Sequence, residues 1–172
     1  MTAGFLVLML ADTLAEPLKI PITASDTENH KHTLYFGFQP NATYGFDVPL
    51  GEMPIPPVPS VQAFDVRFLD PSRRKQFPGD GAYMDIRPFQ SRTQTDTFFI
   101  HAQPANGSFP VTFSWPEGLD EYFDTILLTY HHEGSAHTID MTKQVTFAIT
   151  GTEYNFFTVV TSGLKGKLPW MN

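Results

Sequence analysis

Tyr130-His131-His132-Glu133-Gly134-Ser135-Ala136-His137 (YHHEGSAH) can be read in two ways, and the choice decides the fold. As a helix it comes close to the H-E-x-x-H signature of zinc proteases, in which two imidazoles bind the metal and the glutamate activates water. That signature needs its second histidine four residues after His132, where this chain has Ala136; His137 comes one position too late. On a helix the offset turns the second imidazole by roughly 140° from the first, at about 100° per residue, so the two cannot share an ion. Gly134-Ser135 is turn chemistry, and Ile126-Leu127-Leu128-Thr129-Tyr130 before it reads as a strand. The stretch is therefore expected to be a β-hairpin with a polar, solvated tip. His131 and His137 remain a candidate metal pair across it.

The rest of the chain agrees with a strand-rich reading. It has 172 residues, enough for one domain with a substantial core, burying roughly two thirds of its unfolded surface. Sixteen Phe and fifteen Pro, with many Thr and few Lys, favour pleated strands and turns over helices. With no Cys, a disulfide framework, thiol catalysis and Cys-ligated zinc are excluded. Eleven Lys and Arg against eighteen Asp and Glu give a net charge of −7, so counterion release offers no drive toward nucleic acid. Nucleic acid is not an expected partner.

His32-Thr33-Leu34-Tyr35-Phe36-Gly37-Phe38 alternates, with Leu34, Phe36 and Phe38 on one face. Residues 62–69 repeat the pattern, with Phe64, Val66 and Phe68 inward and Asp65 and Arg67 outward. Further candidate strands follow at 83–89, 96–102, 109–115, 125–131, 138–141, 145–150 and 156–161, and residues 19–22 suit an edge strand that tolerates Pro21. Between the early strands, residues 39–60 carry Pro49, Pro54, Pro56, Pro57 and Pro59, which remove backbone donors and favour polyproline II; a long crossing between sheets is expected. Residues 116–123 suit a single helical turn. About nine short strands without intervening helices predict an all-β fold, a two-sheet antiparallel β-sandwich with a proline-rich crossover. A closed barrel is the alternative.

The division expected along the chain is residues 1–17, then a sandwich over 18–163, then a tail over 164–172. Gly4 to Ala11 is apolar and is followed by Asp12-Thr13-Leu14-Ala15, which suits either a truncated export signal lacking its positive n-region or an N-terminal strand. The stretch is too short to span a bilayer, which needs about 20 apolar residues. No transmembrane span is expected.

The run from Leu34 to Asp47, with Leu50-Gly51-Glu52 and Pro56-Pro57-Val58-Pro59, resembles β-sandwich domains of large secreted bacterial proteins, the kind that stand before the sorting domain of type IX secretion cargo. Val111-Thr112-Phe113-Ser114-Trp115-Pro116, Ile126-Leu127-Leu128, Thr138-Ile139-Asp140-Met141 and Phe156-Phe157-Thr158-Val159-Val160 are similar to the last strands of that family, so the likeness covers residues 32–162. It implies an immunoglobulin-like or fibronectin-like fold, export, and a cell-surface or extracellular role; a periplasmic location is the alternative. It supplies no catalytic residue. The chain departs from the family in showing no evident sorting domain after Gly163 and an incomplete signal at the start.

Candidate chemistry is sparse. Asp80 between two glycines, with Asp85, Asp47 and Asp65, offers the oxygens calcium takes, although the D-x-[DN]-x-[DN]-G spacing is absent. There is no G-x-S-x-G elbow, and Gly79-Asp80-Gly81 lacks the lysine of a phosphate loop. Asn41-Ala42-Thr43 and Asn106-Gly107-Ser108 match glycosylation sequons. Arg73-Arg74-Lys75 is a loop cluster suited to an acidic glycan or protein, and Tyr44, Phe46, Tyr122 and Trp170 are loop aromatics suited to stacking on a sugar or a partner. The expectation is a non-enzymatic module without a cofactor, calcium aside, that contacts a protein in a surface assembly, with polysaccharide as the alternative ligand. Tyr44, Phe46, Tyr122, Trp170, Arg73 and Arg74 are its candidate contacts.

Overall fold

The computed structural model describes residues 16–69, 81–132, 134–151, 156–166 and 168–171. Ten strands form: β1 (Leu18–Ser25), β2 (Lys31–Gln39), β3 (Asp65–Phe68), β4 (Met84–Pro88), β5 (Thr95–Gln103), β6 (Val111–Ser114), β7 (Phe123–His132), β8 (Ser135–Asp140), β9 (Thr146–Ile149) and β10 (Phe156–Leu164). They make two five-stranded sheets, ordered β4-β2-β1-β6-β9 and β3-β5-β10-β7-β8. The expected two-sheet sandwich is what the chain forms. One pair departs from the antiparallel rule, since β4 returns from the other sheet and lies parallel to β2.

Alternation explains the stacking. Leu18, Ile20, Ile22 and Ala24 face inward from β1, and the register sets Ile20 beside Phe36 and Ile22 beside Leu34. Across the interface the rings interleave: Phe36 and Phe98 lie 5.0 Å apart, Phe113 and Phe157 5.1 Å. Tilted aromatic pairs of this kind add about 0.5–1.5 kcal/mol each beyond the area they bury.

Residues 19–22 belong to a strand in the middle of its sheet rather than at an edge, which corrects the expectation for Pro21. The ladder with β6 runs only from Thr23 opposite Ser114 to Ser25 opposite Thr112. Pro21 therefore lies beyond the end of β6, beside Trp115 and Pro116, where its missing donor interrupts no bond of that ladder.

The YHHEGSAH stretch is a hairpin, tighter than expected. His132 stands opposite Ser135 and Tyr130 opposite His137, and Gly134 takes φ 77°, open to a residue without a Cβ. Neighbouring residues on a strand point to opposite faces. His137 shares a face with Tyr130, stacking on it at 5.2 Å, and His131 lies on the other, so the candidate metal pair does not form.

The proline-rich segment crosses from β2 to β3, as expected, and acts as a strap. Ile55 N–H donates to Gly81 O, Arg67 Nη1 to Pro56 O at 2.6 Å, and Gln103 Nε2 to Ser60 O and Ala63 O. Side chains from the sheets thus satisfy carbonyls that the prolines leave without a strand partner.

Candidate functional site

Two Asp-x-Arg triplets, Asp65-Val66-Arg67 and Asp85-Ile86-Arg87, sit on strands with both charges on one face. In each, the guanidinium reaches back to the carboxylate two residues earlier. Arg67 Nε and Nη2 donate to Asp65 at 2.6 and 2.7 Å, and Arg87 Nε and Nη2 to Asp85 at 3.2 and 3.0 Å. Asp65 and Arg67 do point to the outer face of their sheet, but Pro56 of the strap covers them and they are only 2% and 3% exposed. Asp85 and Arg87 stand opposite Phe36 and Phe38 and so face the interior. There Arg87 also meets Asp96 at 3.4 Å and lies 4.5 Å above the Phe98 ring. Desolvation works against the Arg87 charge, and Asp85 and Asp96 outweigh it, holding the guanidinium protonated.

Each described carboxylate offered for calcium already has a hydrogen-bonding partner. Asp65 and Asp85 are taken by their arginines, and Asp47 accepts Thr43 N–H at 2.6 Å within its own loop. Asp80 lies outside the described residues, as do Arg73 and Arg74. Among the described residues, no group of three His, Asp or Glu stands close enough to hold a metal ion, and no helix is long and apolar enough to cross a membrane.

Tyr44, Phe46, Tyr122 and Trp170 emerge at one end of the sandwich, where β2 and β4 finish, β5 and β7 begin, and β10 ends against Arg92 and Gln94. They do not make an open platform. Trp170 leans on Phe89 at 5.4 Å with its indole N–H buried, Tyr122 packs on the core, and Phe46 is half-buried. Only Tyr44, 45% exposed, presents much ring to solvent, and its inner side lies 5.8 Å from Arg87. Trp170, partly buried, packs against the core at this end of the sandwich. A groove of about 190 Å³ lies elsewhere, bounded by Pro21, Thr23, Ser114, Trp115 and Pro116. It has no charged lining residue to orient a ligand.

Sequence reasoning passed over Glu52. Its carboxyl, 1% exposed, accepts Ile86 N–H at 2.6 Å and Asp47 N–H at 2.8 Å. Ile86 is in the middle of β4, an edge strand, so Glu52 occupies the donor that an incoming strand would need. Burial, with Asp85 and Asp47 nearby, pushes this carboxyl up to about 8. The other edge on that flank, β3, is closed where Phe68 and Ala82 exchange hydrogen bonds.

The opposite flank is different. β8 is exposed at five of its six positions and carries neither Pro nor Lys. Met141 N–H bonds Ile126 O, which fixes the phase of the ladder: Ser135, His137 and Ile139 exchange bonds with β7, and Ala136, Thr138 and Asp140 turn their backbone groups outward. Among the described residues nothing pairs with that outer side, apart from the Lys143 N–H on Asp140 O. β9, on the same flank, is only four residues long.

Comparison with known proteins finds no matching family, no matching characterised protein and no matching solved structure.

Proposed function

We propose that this chain is a non-enzymatic, extracellular or cell-surface β-sandwich module that mediates protein interaction or assembly through the open edge of β8. One observation carries the reading: the strap and Glu52 close one flank, while on the other, among the described residues, nothing pairs with the outward side of β8 apart from the Lys143 N–H on Asp140 O. Strand addition needs such an edge, with main-chain bonds giving affinity and alternate side chains giving selectivity. Exposure to the outside of a cell rests on the likeness to secreted bacterial sandwich domains. The carbohydrate-binding alternative is weaker, because of its aromatic set only Tyr44 keeps an exposed ring.

Selection of extended peptides from a random display library tests the reading. Enriched peptides should slow amide exchange at Ala136 and Thr138, and Thr138→Pro, which removes an outward donor and clashes with an added strand, should abolish their binding. Peptides that protect another surface would overturn it. So would retention on a polysaccharide that is lost in Tyr44→Ala.

A further inference from the structure

We infer that the strand added to β8 is β8 of a second copy of this chain, paired antiparallel about Thr138 to join two five-stranded sheets into one. The inference rests on the reading of β8 as an interaction edge and adds the identity of the occupant. Its first support is phase. The outward residues Ala136, Thr138 and Asp140 are symmetric about Thr138, so a two-fold axis there sets Thr138 against Thr138 and Ala136 against Asp140 of the second copy. Each outward N–H then meets an outward carbonyl. Asp140 O has a second lone pair available beside the Lys143 bond.

The side chains agree with that register. No like charges fall opposite one another. Thr138 meets Thr138, a favourable cross-strand pair on the exposed face, and His137 meets Ile139 of the second copy. Asp140 of the second copy comes to lie over Ala136, whose short side chain leaves it open to the exposed His131, the residue paired with Ala136 in β7. The imidazole and carboxylate are donor and acceptor on strands two spacings, about 9.6 Å, apart, within the combined reach of the two side chains. An isologous contact of this kind closes on itself as a dimer and does not propagate. One strand pair buries less than a standard interface, so the dimer is weak and concentration-dependent.

Two measurements decide it. Sedimentation equilibrium of the unaltered chain, taken to about 1 mM, should show a rise from 19.3 kDa toward twice that mass, since even a small interface associates at such concentrations. Because the chain has no Cys, single cysteines report register cleanly. Thr138→Cys should oxidise to a disulfide dimer, and a mixture of Ala136→Cys and Asp140→Cys chains should cross-link to each other. Thr129→Cys, one strand away on β7, should not. A chain that stays monomeric throughout, or cysteines at 136 that cross-link among themselves in preference to 140, would overturn the inference. If the chain is monomeric while library peptides still protect Ala136 and Thr138, the self-pairing fails and the edge reading survives. If peptides leave those amides unprotected as well, both fail.

Discussion

Replacing Glu52 by Gln should change how stability depends on pH. In the folded chain burial holds the Glu52 carboxyl at about 8, against an ordinary value of 4.5. The folded state therefore binds a proton more readily than the unfolded one between those two values. The stabilisation is complete below pH 4.5 and is lost as pH rises through 8. At about 1.4 kcal/mol per unit, the full loss approaches about 5 kcal/mol by pH 9, most of it between roughly pH 5 and 8. Glutamine cannot titrate, so its contribution is flat. It keeps one oxygen for either Ile86 N–H or Asp47 N–H and turns its amide nitrogen toward the other, which costs about 1–3 kcal/mol for the orphaned donor. The variant should be less stable than the parent at pH 5, should draw level as pH rises, and should exceed it by pH 9. Urea unfolding of both chains at unit intervals from pH 5 to 9 measures this, with titrating groups remote from Glu52 cancelling in the difference. Two parallel profiles would refute the reasoning, because they would mean that Glu52 is ionised in both folded and unfolded states across the range.

Asp65→Ala should cost about 3–5 kcal/mol by leaving Arg67 buried without its carboxylate, and Asp65→Leu with Arg67→Met should cost much less than the two single changes summed; strict additivity in a double-mutant cycle would contradict the pairing. Phe98→Ala removes a ring that meets Phe36, Phe38 and Arg87 and should destabilise by about 3–5 kcal/mol in urea titration. Asp26 works against its own desolvation, but hydrogen bonds from His30 and Glu28 outweigh it and hold its carboxyl below 3.8. Asp26→Asn should lose about 1–2 kcal/mol at pH 6, and the gap should close as the medium is acidified below pH 3.8 and the parent's carboxyl protonates. A gap that persists at pH 2 would show that the turn depends on shape alone.

The sheets were legible in the sequence wherever one face of a strand is apolar. β2 and the inward set of β3 follow directly from alternation, and the hairpin follows from Gly134-Ser135 together with the failed i+4 spacing. The strap changed the reading of the strands beneath it. Asp65 and Arg67 look like solvated outward residues until Pro56, nine positions before Asp65, folds back over them, and no local pattern records that return. Asp85 and Arg87 break the inward-apolar rule because they satisfy each other and Asp96 inside the sandwich. A signal for both was present in the twice-used Asp-x-Arg triplet, since charges two apart on a strand share a face and suit a bidentate pair. Pro21 misled because strand order and local pairing differ: β1 is central in the sheet, and β6 stops short of the proline.

The two flanks of the sandwich are closed by different means, and the difference bears on function. On the β3–β4 flank a polyproline-biased segment is the natural cover, since its prolines demand few acceptors and its carbonyls take bonds from Arg67 and Gln103. Glu52 adds the remaining acceptor for Ile86 N–H, at the cost of a buried carboxyl held far from its ordinary value. A chain that places a desolvated acid to quench one edge donor, yet carries neither Lys nor Pro on β8 and, among the described residues, no covering loop there, has not treated its edges alike. Edge protection is the general requirement for a soluble sandwich, so an uncovered six-residue strand is the place where a pairing partner has most to gain.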